Sequence, residues 1–178
     1  MSLQKRTLMS AKDIDLAIQR IALQILEKNH GCVGMAIVGI HTCGVDVARR
    51  IYEFVKKESE AEIFYGTLDI NLYRDDWSLM SQNPVVKTTD IAFDVDNTNL
   101  VLVDDVIFTG RTIRAAMDAI MDYGRPNTLQ LAALVDRGGR ELPIQPDFTG
   151  IKTTILDNER IQVIFAEQGD SCEVVVES

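Results

Sequence analysis

An acid pair and a hydroxyl-rich turn stand side by side in one short stretch of this chain. Asp104 and Asp105 follow the apolar run 100–103, and the turn Thr-Gly-Arg-Thr follows at 109–112. Paired carboxylates can accept hydrogen bonds from neighbouring sugar hydroxyls. A glycine-containing turn that opens a helix can surround a phosphate with backbone N–H groups and hydroxyls. Together the two halves fit a ribose that carries a 5-phosphate.

These residues need a frame that brings them to the end of a buried strand, where open α/β sheets bind their ligands. Helical spacing of apolar residues follows a capping pattern at Ser10 and Asp13 and predicts a first helix that ends near 29–31. Further helices are predicted at 45–57 and 110–123. Strands are predicted at 35–40, 63–73, 100–103, 129–135, 161–165 and 173–176.

The alternation of strands and helices predicts an α/β fold, a central mostly parallel sheet flanked by helices. The polar stretch at about 74–90 predicts a long flexible loop. Glycines and prolines make 137–150 irregular. With no repeat and no boundary signal, residues 1–178 are predicted to form a single domain.

Composition limits the classes of partner and the compartment. The 178 residues carry a net charge of −9, so no global attraction to nucleic acid or anionic membrane is expected. Three cysteines and two histidines have no metal-like spacing, so no protein metal site is predicted. Free thiols, the absence of a signal-peptide pattern in 1–12 and the absence of a long apolar run favour a cytoplasmic protein without membrane partners.

Five segments, in order and spacing, carry a family resemblance. Residues 101–112 resemble the PRPP-binding motif of type I phosphoribosyltransferases. The wider set resembles the PyrR family, whose members regulate the pyrimidine operon and are also uracil phosphoribosyltransferases. The segments are 72–76, 104–112, 123–126, 134–138 and 140–144.

The resemblance implies a type I phosphoribosyltransferase fold with a small hood, made from the terminal regions and 137–150. It implies transfer of ribose 5-phosphate from PRPP to uracil, giving UMP and pyrophosphate. Mg²⁺ would arrive with PRPP. The implied partners are PRPP, uracil, UMP or UTP, pyr mRNA and further copies of the chain in a homodimer or larger homo-oligomer.

The resemblance also implies residue roles. Catalysis falls to Asp104, Asp105 and Arg74. PRPP or nucleotide binding involves Val103, Asp104, Asp105, Val106, Thr109, Gly110, Arg111 and Thr112. The pyrophosphate loop consists of His41, Thr42, Cys43 and Gly44, and the base and hood residues are Phe108, Asp136 and Arg137.

Several positions leave alternatives open. Phe108 stands where hypoxanthine-guanine enzymes carry an acid that faces the purine, which favours a pyrimidine, although Phe108 could equally pack as core. Arg74, with its neighbouring acids, could form a solvated turn, and Arg137 and Arg140 could be surface arginines paired with an acid such as Glu141.

Departures from the family pattern bear on both activities. His41 and Cys43 stand where many PyrR proteins carry Lys and Arg, which removes charge from the pyrophosphate loop. Leu23, Gly139 and Gln145 stand where RNA-binding members carry polar or basic residues. The rivals are a UMP- or UTP-sensing regulator of pyr mRNA with weak or no catalysis, a purine phosphoribosyltransferase, and a protein whose site is only structural.

Overall fold

The computed structural model describes residues 5–76, 88–165 and 172–178. Its strands are β1 Lys5–Met9, β2 Met35–Ile40, β3 Ile63–Leu68, β4 Asn99–Ile107, β5 Thr128–Asp136, β6 Phe148–Lys152, β7 Arg160–Ile164 and β8 Glu173–Glu177. Its α-helices are α1 Ala11–Lys28, α2 Gly44–Glu58 and α3 Arg111–Met121, and a 3₁₀ turn spans Asn71–Tyr73. No helix of these segments has the length and apolar content that a membrane span requires.

The central sheet has the order β3-β2-β4-β5-β6, with all neighbours parallel. Helices α1 and α2 pack on the core cluster of one face, and α3 packs on the cluster of the other. The predicted fold class is therefore confirmed. A second, antiparallel sheet of order β1-β8-β7 is built from the two ends of the chain.

Local signals in α1 worked as predicted. Asp13 N–H donates to Ser10 Oγ at 3.3 Å, and Ser10 N–H donates to Asp13 Oδ2 at 2.9 Å, which completes a capping box. The buried residues of α1 recur at helical spacing along one face (Ile14, Ala17, Ile18, Ile21, Ala22 and Ile25).

Three strand predictions were wrong in extent because pairing partners decide where a strand ends. Strand β4 runs on to Ile107, so the acid pair lies within the strand and not after it. Strand β3 ends at Leu68, and the 3₁₀ turn replaces its predicted continuation. Residues 148–150, predicted to be irregular, belong to β6, which pairs with β5 from Ala132↔Phe148 onward.

Strand β1 had no counterpart in the prediction, since the polar terminus carries little strand signal and forms its ladder only with β8. Of the loop predicted at about 74–90, residues 77–87 lie outside the described part of the chain.

Candidate active site

The acid pair lies at the carboxyl end of β4, in the middle of the sheet. Asp104 is buried and Asp105 is half-buried, and Asp105 N–H donates to Asp104 Oδ1 at 3.0 Å. Burial raises the pKa of Asp104 well above its ordinary value, and the neighbouring Asp105 carboxyl adds to the rise. The two adjacent carboxyl groups place hydrogen-bond acceptors side by side at the end of β4.

Backbone of the loop 41–44 comes directly against this acid pair. A Cβ atom added to Gly44 would lie 2.8 Å from the Val103 carbonyl oxygen and 3.2 Å from Asp104 Oδ1. Only glycine allows that approach, and α2 begins at the same residue. The loop predicted to hold pyrophosphate and the acids predicted to hold ribose are therefore brought together.

The turn 109–112 forms the N-terminus of α3. Gly110 is its N-cap at φ +92°, a left-handed conformation, and Arg114 N–H donates to the Gly110 carbonyl at 2.9 Å to start the helix. Thr109 Oγ1 accepts a hydrogen bond of 3.3 Å from Arg111 N–H. This geometry presents N–H groups and hydroxyls to an anion.

Two cavities meet this turn. One of about 330 Å³ is lined by Arg74, Asp75, Asp76, Thr109, Arg111 and Thr112. A smaller one of about 110 Å³ lies beside it, and its lining includes Asp104, Val106, Phe108, Thr109 and Thr112. Since Thr109 and Thr112 line both, the cavities form adjoining parts of one site.

The arginines that line the larger cavity form ion pairs with carboxylates. Arg111 Nη1 donates to Asp75 Oδ2 and Arg111 Nε to Glu141 Oε2, both at 2.6 Å. Arg74 forms a two-pronged pair with Asp76, with distances of 2.8 and 2.7 Å. The Glu141 and Asp75 partners raise the pKa of Arg111, and the Arg74 hydrogen bond lowers the pKa of Asp76. An entering phosphate must replace these carboxylates.

The loop 41–44 supplies backbone and small side chains. His41 N–H donates to the Leu68 carbonyl at 3.0 Å, and the His41–Thr42 peptide is cis. Cys43 Sγ lies 3.6 Å from the Val163 carbonyl oxygen, and the Thr42 side chain is exposed. The buried His41 Nε2 has no hydrogen-bond partner among the described residues. No lysine or arginine belongs to this loop.

Phe108, which was predicted to lie near the base, lines the smaller cavity. Its side chain is 40% exposed, and the Arg137 guanidinium carbon lies 3.9 Å from the ring centroid. A Cβ on Gly139 would come within 2.5 Å of the ring, so the backbone there presses against Phe108. Phe108 and Arg137 are therefore brought together, outside the core.

The Asp136 carboxylate, by contrast, accepts hydrogen bonds from other groups of the protein. Its Oδ1 accepts 2.8 Å from Arg140 Nη2 and 2.9 Å from Gly138 N–H. Arg140 therefore pairs with a nearby acid, as one alternative proposed, but the acid is Asp136, because Glu141 pairs with Arg111. Arg140 is also largely buried and not a surface arginine.

Three residues at the site had no catalytic or ligand contact assigned in the sequence analysis: Asp75, and the hood-segment residues Arg140 and Glu141. All three fall inside the quoted segments 72–76 and 140–144, which was the available signal. The other predicted residues are accounted for by position: Val103 is core with its carbonyl beside Gly44, and Val106 is a half-buried lining residue.

Known proteins give the family. The model of the phosphoribosyl transferase domain matches residues 7–168. Curated relatives named Bifunctional protein PyrR include those of Syntrophobacter fumaroxidans, 48% identical over 97% of this chain and 92% of the relative, and of Deinococcus radiodurans, 42% identical over 98% and 95%.

Among solved structures, a hypoxanthine-guanine phosphoribosyltransferase from Bacillus anthracis superposes with a TM-score of 0.67 at 16% identity, covering 89% of this chain and 88% of that one. A hypoxanthine phosphoribosyltransferase from Trypanosoma cruzi in a ternary complex with substrates gives 0.70 at 14% identity, covering 94% and 93%. At such identities the likeness shows the fold alone. Identity to the curated relatives over nearly the whole chain goes further: the chain belongs to the PyrR family and carries a phosphoribosyltransferase domain.

Proposed function

We propose that this chain transfers ribose 5-phosphate from PRPP to uracil, giving UMP and pyrophosphate. The observation that carries the proposal is that three features converge at the carboxyl end of the sheet. They are the acid pair, the glycine turn at the start of α3 and the closely packed loop 41–44. That arrangement offers separate places for the ribose hydroxyls, the 5-phosphate and the departing pyrophosphate. Holding the three groups in line is the main contribution such a site can make.

In this proposal Asp104 and Asp105 accept hydrogen bonds from the ribose hydroxyls while positive charge develops on the ring. Thr109 to Thr112 bind the 5-phosphate. The C1–oxygen bond to pyrophosphate breaks, with its electron pair leaving on pyrophosphate, as a ring nitrogen of uracil bonds to C1. The proton on that nitrogen passes to water. Loop 41–44 and Arg74 hold the departing pyrophosphate, with Arg74 first released from Asp76.

Mg²⁺ fits this site as an ion that arrives with PRPP. Among the described residues no group of three or more His, Cys, Asp or Glu could cage a metal. The half-buried Asp105 offers a carboxylate near the site, and Mg²⁺ favours oxygen ligands while it keeps several waters. When bound, the ion neutralises part of the pyrophosphate charge.

The base preference follows from Phe108 and Arg137. The Phe108 ring, with one face covered by the Arg137 guanidinium, can stack on a base. It provides no carboxylate of the kind that hypoxanthine-guanine enzymes direct at a purine, so we propose a pyrimidine. The hood of this proposal comprises the antiparallel sheet of the chain ends and the segment after β5, within one domain.

Regulation through pyr mRNA is the second candidate, favoured by the relatives' bifunctional name. Leu23 is 54% exposed, and Gly139 and Gln145 are exposed at the positions where basic or polar contacts are expected. Because phosphate contacts need Lys and Arg, we propose that catalysis is the stronger of the two activities. A gel-shift titration with a pyrimidine-operon leader RNA and UMP, at two salt concentrations, measures the RNA affinity.

The decisive experiment follows pyrophosphate release from PRPP and Mg²⁺ with uracil, orotate, hypoxanthine, guanine or adenine. We expect release with uracil and little with the others. Release with a purine would contradict the base assignment. UMP binding without release from any base would instead support the nucleotide-sensing regulator. Light scattering of the same sample tests the predicted homodimer or larger assembly.

A further inference from the structure

The ion pair between Arg140 and Asp136 is unusually shielded from water. The Arg140 side chain is 12% exposed and that of Asp136 is 8% exposed, with 2.8 Å between Nη2 and Oδ1. In every other ion pair found among the described residues, at least one side chain is more than 30% exposed. A buried pair of this kind holds its geometry, since separating it would leave a charge without a partner.

The Arg140 guanidinium also ties together separate parts of the backbone. Its Nη1 donates to the Phe108 carbonyl and its Nε to the Ile144 carbonyl, both at 2.8 Å. Asp136 Oδ1 receives the Gly138 N–H as well. One side chain therefore joins the end of β4, the end of β5 and the segment 138–144.

The segment 138–144 packs against the turn 109–112, which we propose binds the 5-phosphate. Glu141 N–H and Leu142 N–H donate to the Thr109 carbonyl at 2.9 and 3.1 Å. Phe108, whose carbonyl Arg140 holds, immediately precedes Thr109. The contacts of Arg140 thus span the distance between the aromatic ring on the base side and the turn on the phosphate side.

We propose that Arg140, acting through Asp136 and the Phe108 and Ile144 carbonyls, is a positioning residue that sets the separation between the base side and the phosphate side of the site. The inference rests on the proposed transferase function. Arg140 touches no reacting atom in this account. Its planar fork is needed because a lysine ammonium has no set of donors fixed in one plane to meet the three acceptors.

Arg140→Lys and Arg140→Gln test the role, with Lys28→Gln as the matched control. Lys28 pairs with Asp147 at 2.5 Å, its side chain is 48% exposed, and neither residue lines the two cavities of the site. Hydrogen exchange is measured without ligand. We expect both Arg140 variants to lose protection in peptides covering 108–112 and 137–145 while other peptides keep theirs, and the control to match the wild type.

Steady-state kinetics then separate positioning from stability. Misplacement of reacting groups by a fraction of an ångström to 1 Å can cost about 10²-fold in rate. We expect kcat/KM for uracil to fall by about that factor in both variants, a larger loss than the loss of PRPP affinity. Lysine should rescue thermal stability better than glutamine does, without rescuing kcat/KM.

Unchanged exchange in the two peptides, or equal kinetics in Arg140→Lys and Lys28→Gln, would overturn the positioning role. A wild-type chain that releases no pyrophosphate with any base would contradict the proposed function instead. In that case the exchange pattern still decides whether Arg140 holds the two sides together.

Discussion

Two arginine–carboxylate clusters flank the end of β4, and they differ most in their contact with water. On the phosphate side, Arg111 pairs with Asp75 and Glu141, and the three side chains are 49, 39 and 53% exposed. On the base side, Arg140 and Asp136 are 12 and 8% exposed. The hydrogen-bond lengths are similar, at 2.6 and 2.8 Å.

The difference in exposure gives pairs of the same residue types different energies of separation. Exposed pairs are screened by solvent and salt, so a phosphate can replace the carboxylates at small cost. Breaking a buried pair by removing one partner costs about 3–5 kcal/mol, because the remaining charge stays buried. We therefore read the Arg111 cluster as exchangeable and the Arg140 cluster as permanent.

The largest effect should come from the acid pair that lies between the clusters. Asp104→Asn combined with Asp105→Asn leaves both arginine clusters intact but removes the carboxylates that we propose as partners of the ribose hydroxyls. Hydrogen bonds to charged groups contribute about 1.5–3 kcal/mol each, so PRPP affinity should fall about 10²–10⁴-fold with the fold intact. Calorimetry with PRPP and Mg²⁺ measures it. Near-normal affinity would mean that the arginine clusters bind PRPP without the acids.

Cationic side chains can be introduced into the loop 41–44, which has no lysine or arginine. His41→Lys combined with Cys43→Arg adds cations to the loop beside Gly44, where negative charge develops on pyrophosphate. A recovered transition-state contact is worth about 10²–10³ in rate, and we expect it in kcat/KM for PRPP and not in base preference. Steady-state kinetics with uracil check this. A wild type already fast, with no gain in the variant, would show that backbone groups and Arg74 suffice.

Asp104, the buried member of the acid pair, should lower the stability of the fold at neutral pH. Because burial raises the folded-state pKa of Asp104, the unfolded chain releases that proton more readily, and stability falls as pH rises from about 4 through the folded-state pKa. Asp104→Asn removes this loss. We expect its Tm at pH 7 to exceed that of the wild type, and in a chain of this size each 1 kcal/mol gained corresponds to about 2–4 °C.

Calorimetric scans of both proteins from pH 3 to 8 follow this difference. It should shrink below about pH 4, where the carboxyl is protonated in both states. A variant that is less stable than the wild type at every pH would show that the Asp104 carboxylate is held charged by contacts stronger than the burial cost.

The smallest effect should appear in the exchangeable cluster. Asp75→Asn removes one carboxylate that occupies Arg111, so phosphate and PRPP should bind about two- to fivefold more tightly at low salt, with the gain fading at high salt. Asp15→Asn is the control, since Asp15 pairs with Arg50 at 3.2 Å between α1 and α2 and does not line the cavity. Weaker phosphate binding in Asp75→Asn would show that Asp75 orients Arg111 for the ligand.

Local signals in the chain determined much of this protein. Periodicity and capping at Ser10 and Asp13 predicted α1, and buried apolar runs predicted β2 and β5, because these elements follow from the side chains of adjacent residues. The motif 104–112 predicted an acid pair and a glycine turn at a strand end, and that motif depends on local order alone.

Tertiary structure decided what pairs with what. Strands β1 and β6 exist only through partners distant in the chain, so their polar or glycine-containing segments gave no strand signal. Whether an arginine is exchangeable or permanent depends on its burial, and neither Arg111 nor Arg140 carries that information in its neighbours. Glu141 is adjacent to Arg140 in the sequence and Asp136 is four residues away, but the packing of 138–144 over β4 and β5 pairs Asp136 with Arg140 and Glu141 with Arg111.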